Sequence, residues 1–179
     1  MSIFSQSTGL TIFLSIPGSL TIFMTELKKS FSDLLVEDVY ELVVKNPSAL
    51  PSGSKLRQVF DEFLNNPVSR KVYILNDDGK LLGAVNTETL LRLLGYRVGV
   101  REFANWSLWR LMRDMLKEGV EGVLIKVPTL KRSDKLTKAL QIMVEDHLTD
   151  LPVVDDDGKL IGELNSFEIF TKGRELFEE

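Results

Sequence analysis

An internal repeat constrains this chain more than any other feature, because two copies of one supersecondary unit must fold alike and bury their apolar faces on one another. Asn76-Asp77-Asp78-Gly79-Lys80-Leu81-Leu82-Gly83 recurs 79 positions later as Asp155-Asp156-Asp157-Gly158-Lys159-Leu160-Ile161-Gly162. The likeness continues through Ala84-Val85-Asn86-Thr87 against Glu163-Leu164-Asn165-Ser166. Upstream, Ser54-Lys55-Leu56 matches Asp134-Lys135-Leu136 at an offset of 80, so the first copy is one residue longer near Ser69–Val72. Val36-Glu37-Asp38-Val39 answers Val120-Glu121-Gly122-Val123 in the same way.

Each copy carries the same local physics. Leu56, Val59, Phe60 and Phe63 fall on one helical stripe, as do Leu136, Ala139, Leu140 and Met143. Ser54 and Asp134 are the expected N-caps of these helices. Short β-branched runs follow at Val72-Tyr73-Ile74-Leu75 and Val153-Val154, each leading into an Asp-Gly turn that signals a hairpin. Second strands are expected at Leu81–Val85 and Leu160–Leu164, then helices opening at Asn86 and Asn165. With an opening strand near Ser48–Leu50 or Pro128–Leu130, the unit reads β-α-β-β-α. One such unit buries too little apolar surface to be comfortable alone, and two packed face to face solve that problem.

The remaining stretches are less regular. Residues 25–95 and 118–179 hold the two repeats, and 96–117 reads as a linker helix with Asn105 as its N-cap. That helix carries Trp106 and Trp109 and a stripe of Leu108, Leu111, Met112 and Met115, which we read as packing on the repeats or on a second subunit. Residues 1–24 form an uncharged apolar extension in which Leu-Thr-Ile-Phe occurs twice around Pro17-Gly18. It reads as an accessory hairpin or a mis-set start, with Met24 the natural first residue, ahead of a membrane or partner anchor. The apolar run Leu10–Met24 is shorter than the roughly 20 residues a spanning helix needs, and it lacks the basic head of a secretory signal.

The net charge of −4 shows no basic excess of the kind that nucleic-acid binders carry. With no cysteine and a single histidine, His147, thiolate chemistry and a histidine-rich metal site are excluded, which fits a cytoplasmic protein. No phosphate loop, dinucleotide fingerprint or nucleophile elbow occurs, so a non-enzyme is expected. The acidic runs Asp77-Asp78 and Asp155-Asp156-Asp157 lack the spacing of a calcium loop and read as turn chemistry.

The run Leu151-Pro152-Val153-Val154-Asp155-Asp156-Asp157-Gly158-Lys159-Leu160-Ile161-Gly162 closely resembles the core signature of a CBS domain. The duplication resembles a tandem pair of such domains, a Bateman module, over about Val36–Gly173. The resemblance implies an α/β fold with two tandem repeats packed as a pseudo-two-fold pair and two clefts between them. It further implies a stand-alone regulatory module that binds an adenosine-containing ligand (AMP, ADP, ATP or S-adenosylmethionine), needs no cofactor, forms a homodimer and acts on a regulated protein. The alternative is a structural module that only dimerises or docks a partner.

The family's Gly-h-h-Thr/Ser-x-x-Asp ligand motif falls on Asn86 and Thr89 in the first repeat and on Asn165 and Glu168 in the second. All four depart from the pattern, and only Glu168 keeps a carboxylate for a ribose diol. The position lining the adenine pocket falls at Ala49 and Thr129. Thr149 and Asp150 precede Pro152 in the loop that opens onto the cleft, with Ser69, Arg70 and Lys71 as counterparts. Arg70, Lys71 and Arg132 are the candidates for neutralising phosphate. The preferred site is therefore Thr129, Thr149, Asp150, Asn165 and Glu168, with Ala49, Ser69, Arg70, Lys71, Asn86, Thr89 and Arg132 as secondary positions. Asn165 with Glu168 also reads as a capping box that needs no ligand. Glu168→Gln is expected to weaken ligand binding with little effect on ligand-free melting.

Overall fold

Each copy of the repeat folds into its own three-stranded sheet with two helices. The computed structural model describes residues 31–98, 110 and 112–177. In the first half, β1 (Ala49–Pro51), α1 (Leu56–Asn65), β2 (Lys71–Leu75), β3 (Leu81–Asn86) and α2 (Thr87–Val98) follow in order. In the second, β4 (Leu130–Lys131), α3 (Leu136–Glu145), β5 (Asp150–Val154), β6 (Leu160–Asn165) and α4 (Ser166–Phe177) repeat that order. Both sheets have the order first-second-third, parallel between the first two strands and antiparallel in the hairpin. The β-α-β-β-α reading stands, with the opening strands one residue or so later than expected. The five residues between α1 and β2, against four between α3 and β5, hold the extra residue of the first copy.

The hairpins turn where Asp-Gly pairs foretold. Gly79 and Gly158 take positive φ values of 78° and 81°, a region that glycine enters without strain. The side chain four residues before each turn's end closes it: Asn76 Oδ1 accepts from the Asp78 and Lys80 amides, and Asp155 Oδ1 from those of Asp157 and Lys159. The two turns then bond to each other, Leu81 N to Gly158 O at 3.0 Å and Leu160 N to Gly79 O at 3.3 Å. The pseudo-two-fold axis passes between them.

The opening turns are exchanged between the halves. The 3-10 turn Val36–Asp38 packs with Leu34, Val39 and Tyr40 into the core of the second half, against Leu130, Leu136, Leu151 and Leu164. Its repeat counterpart Val120–Val123 packs with Met115 into the core of the first half, against Leu56, Val72, Ile74 and Val85. Neither sheet therefore has a closed core without chain from the other copy.

This exchange also corrects the N-cap expectation. The helices begin at Leu56 and Leu136, with Lys55 and Lys135 at the cap positions. The otherwise orphaned first amides are satisfied by the exchanged turns: Leu56 N donates to Glu118 O and Leu136 N to Leu34 O, both at 2.9 Å. Ser54 Oγ instead donates to Pro51 O, and Asp134 accepts from Lys131 N. Helix α2 continues to Val98, into the stretch read as linker. The extension over residues 1–24 expected as a hairpin or mis-set start, and Asn105, Trp106, Leu108, Trp109 and Leu111, lie outside the described residues. Met115 is fully buried in the first core and Met112 packs against that core, so these two methionines serve the chain's own interior rather than an outer face.

Candidate functional site

The two strand-to-helix corners, β3 into α2 and β6 into α4, are where the repeats place their polar side chains. At the first corner Asn86 Oδ1 accepts from Thr89 N and from Thr89 Oγ1, each at 2.7 Å. Asn86 is an N-cap, and the Thr89 hydroxyl closes back on it. At the second corner Asn165 Oδ1 accepts from Phe167 N at 2.9 Å, while Glu168 Oε2 accepts from Asn165 N at 2.8 Å. Glu168 thus supplies the returning arm of the capping box expected from the spacing, while Asn165 caps the amide one residue earlier than that motif uses.

Glu168 does more than cap. It is 0% exposed, and its other oxygen, Oε1, accepts from Val43 N at 2.9 Å and Val44 N at 3.1 Å. Three backbone donors on one buried carboxylate tie α4 to the segment that follows the exchanged turn. Glu41, just before that segment, has a φ of 76°, rare for a side-chain-bearing residue, so the chain bends sharply to bring Val43 and Val44 to the carboxylate. The expectation that Glu168→Gln leaves ligand-free melting alone is thereby corrected: an amide nitrogen cannot accept one of these bonds.

The remaining expected site residues divide into exposed and buried sets. Thr129 and Thr149 are exposed, and the Thr149 carbonyl accepts from Ser166 N at 2.8 Å, placing it at the second corner. Ala49 is half-buried in β1, opposite Tyr73. Arg70 and Arg132 are exposed. Arg132 sits over the Tyr40 ring, 5.6 Å from its centroid. Lys71 and Asp150, by contrast, are 5% and 1% exposed and form an ion pair with each other. Lys71 Nζ also donates to the Asp150 carbonyl at 2.6 Å. They face the junction of the halves rather than open solvent. Ser69 is buried beside them, its Oγ donating to Lys71 O.

Two buried polar residues at this junction were not anticipated from sequence. Glu163 is 0% exposed, 3.2 Å from Ser69 Oγ through Oε2, and its carboxyl is pushed up to about 7, first by burial and then by the Asp150 charge. The hydroxyls of Tyr73 and Ser69 and the Lys71 ammonium oppose that rise. Burial likewise pushes the Tyr73 hydroxyl well above its ordinary range, with Glu163 and Asp150 adding to it. The signal for Glu163 was the repeat itself, which sets an acid where the first copy has Ala84. Among the described residues no group of three His, Cys, Asp or Glu side chains is placed to hold a metal ion, and no helix is long and apolar enough to cross a membrane.

Residues 36–96 and 120–173 each match the CBS domain family. The chain belongs to that family. Protein MJ1426 of Methanocaldococcus jannaschii is 26% identical over 147 residues, covering 72% of this chain and 84% of that protein. Among solved structures, a CBS-domain protein (tm0935) from Thermotoga maritima superposes with a TM-score of 0.61 at 26% identity, over 76% of this chain and 92% of that one. The CBS domain protein PAE2072 from Pyrobaculum aerophilum, complexed with AMP, gives 0.59 at 18% identity, over 75% and 89%. The two CBS segments coincide with the two sheets and, at Val36 and Val120, begin at the exchanged turns.

Proposed function

We propose that this chain is a regulatory, non-catalytic module that senses an adenosine-containing nucleotide at the cleft of its second repeat. The observation that supports this best is the duplicated strand-Asn-helix corner, set in an architecture whose Pyrobaculum aerophilum example is complexed with AMP. On this reading the exposed Thr129 and Thr149 offer their hydroxyls to the ligand, with Asn165 and Glu168 at the helix start. Arg132 supplies the exposed cation for phosphate, and the buried Asp150 holds the strand end in place through Lys71. Glu168 reaches a ribose diol only after Val43 and Val44 release it. At the first corner Ala49, Arg70, Asn86 and Thr89 offer no carboxylate to a diol.

A thermal-shift series with AMP, ADP, ATP, S-adenosylmethionine and NADH tests the reading. A ligand at about 100 times its dissociation constant stabilises the folded state by roughly 2.7 kcal/mol. No shift with any of them at millimolar concentration removes it. The second reading, a module that dimerises or docks a partner without a ligand, is favoured by the saturation of Glu168 by backbone donors. Under either reading the chain forms a homodimer: Leu64, Leu91, Val144, Phe167 and Phe170 stand exposed on its helices, and light scattering at micromolar concentration reads the mass.

A further inference from the structure

Ser69, Lys71 and Tyr73 of the first half meet Asp150 and Glu163 of the second, and all five are buried. Lys71 and Asp150 open β2 and β5 and so occupy equivalent positions in the two copies, yet they carry opposite charges and pair across the pseudo-dyad. That pair is neutral as a unit. Glu163 is the unbalanced member. The groups that face it are Asp150, Tyr73, Ser69 and Lys71, and its counterpart in β3 is the uncharged Ala84. Ionised, it leaves one net negative charge between two sheets, which is costly in a low-dielectric interior.

The hydrogen bonds point the same way. Ser69 Oγ lies 2.9 Å from the Lys71 carbonyl oxygen and 3.2 Å from Glu163 Oε2. A serine hydroxyl has one hydrogen. Both contacts are hydrogen bonds at once only when a proton on Glu163 supplies the second. Glu163 Oε1, the Tyr73 hydroxyl and the Asp150 carboxylate oxygens, apart from the ion pair with Lys71, find no partner of their own among the described residues. Two carboxylate oxygens, Glu163 Oε1 and Asp150 Oδ2, thus lack a donor, against one donor, the Tyr73 hydroxyl, that lacks an acceptor, so acceptors outnumber protons at the junction.

The geometry points to a proton-operated clasp: protonated, Glu163 ties the second half to Ser69 of the first, and ionised, it is repelled by Asp150 and loosens the junction. The carboxyl's position at about 7 places the change at neutral pH. Its sign follows from linkage. A carboxyl raised above its unfolded value of about 4.3 binds more protons folded than unfolded, so stability falls as pH rises from there to about 7 and is level beyond.

Urea unfolding of the full chain at pH 5 to 8 reads the device. The wild-type unfolding constant rises about 100-fold over that window, and in Glu163→Gln, which cannot titrate, the rise is absent. His147→Asn, which removes the chain's only histidine, keeps it. The carboxyl carbon of Glu163, assigned by difference from Glu163→Gln in carbon-13 spectra, titrates near 7. The Leu81 and Leu160 amides, which bond across the halves, lose exchange protection above pH 7 in the wild type and not in Glu163→Gln. A Glu163 midpoint in the ordinary carboxylate range, a pH step that survives Glu163→Gln or vanishes in His147→Asn, or unchanged protection of those two amides would overturn the clasp.

Discussion

The two halves share a backbone and differ in how they hold the strand that borders each corner. In the first half Ala84 and Ile125 exchange both backbone hydrogen bonds at 2.9 Å, so the stretch after the exchanged turn lies against β3 through an isolated antiparallel bridge. The equivalent stretch in the second half begins at Glu41, leaves at positive φ and hands the Val43 and Val44 amides to the Glu168 carboxylate. One copy thus uses main chain on main chain, and the other uses a buried charge on main chain. Duplication preserves what the ladder needs, namely strand register, turns and helix starts. It frees the side chains at the junction to diverge.

The largest break in this comparison is at the pseudo-dyad. Asp150→Ala removes the carboxylate that pairs with the buried Lys71 ammonium and is expected to cost about 3–5 kcal/mol in urea unfolding. Replacing both members, Lys71→Met with Asp150→Leu, is expected to recover most of that loss, because the pair's own net worth after desolvation is small. A double variant as unstable as the single one would mean that the charges do more than cancel each other.

Next in size is the contrast between the corners. Glu168→Gln turns one acceptor of three backbone amides into a donor inside the core and is expected to cost about 2 kcal/mol without ligand. Thr89→Val at the equivalent position removes only the hydroxyl contact to Asn86, since the Thr89 amide still caps, and is expected to cost less than about 1 kcal/mol. Equal melting temperatures for the two variants would remove the distinction between a clasped and an unclasped corner.

What was legible in the sequence follows from the same difference. The turns, the strand pairing and the starts of α2 and α4 were readable because they depend on local rules: the Gly79 and Gly158 turns, the Asn86 and Asn165 caps and the period of Leu56, Val59 and Phe60 all sit where patterning puts them, whereas the caps expected at Ser54 and Asp134 gave way to the exchanged chain. The exchange of the Val36 and Val120 turns was not readable, because either half offers an apolar groove and only the three-dimensional path selects one. Lys71 and Asp150 were noticed as polar residues beside a cleft, and their burial against each other is a contact across 79 positions that no local rule encodes. Glu163 was visible as a mismatch with Ala84 but carried no spacing motif.

A single methyl group separates the two borders. Gly83 and Gly162 are equivalent in β3 and β6, and each is overlain by the exchanged stretch. A Cβ on Gly83 would meet the Ile125 carbonyl oxygen at 2.5 Å and Leu124 Cγ at 2.9 Å. That carbonyl belongs to the two-bond bridge with Ala84, so relief requires the bridge itself to move. On Gly162 the clash is with the Tyr40 ring, whose nearest carbons also lie at 2.5 Å. A ring can swing about its side-chain torsions while the Val43 and Val44 bonds to Glu168 hold the backbone behind it. Gly83→Ala is therefore expected to cost about 1–3 kcal/mol, and Gly162→Ala less, with Arg132 losing its place over the displaced ring. Thermal melts of the two variants check the ranking. If Gly162→Ala proves the more damaging, Tyr40 is as rigid as main chain, and the second border is held by packing rather than by the carboxylate.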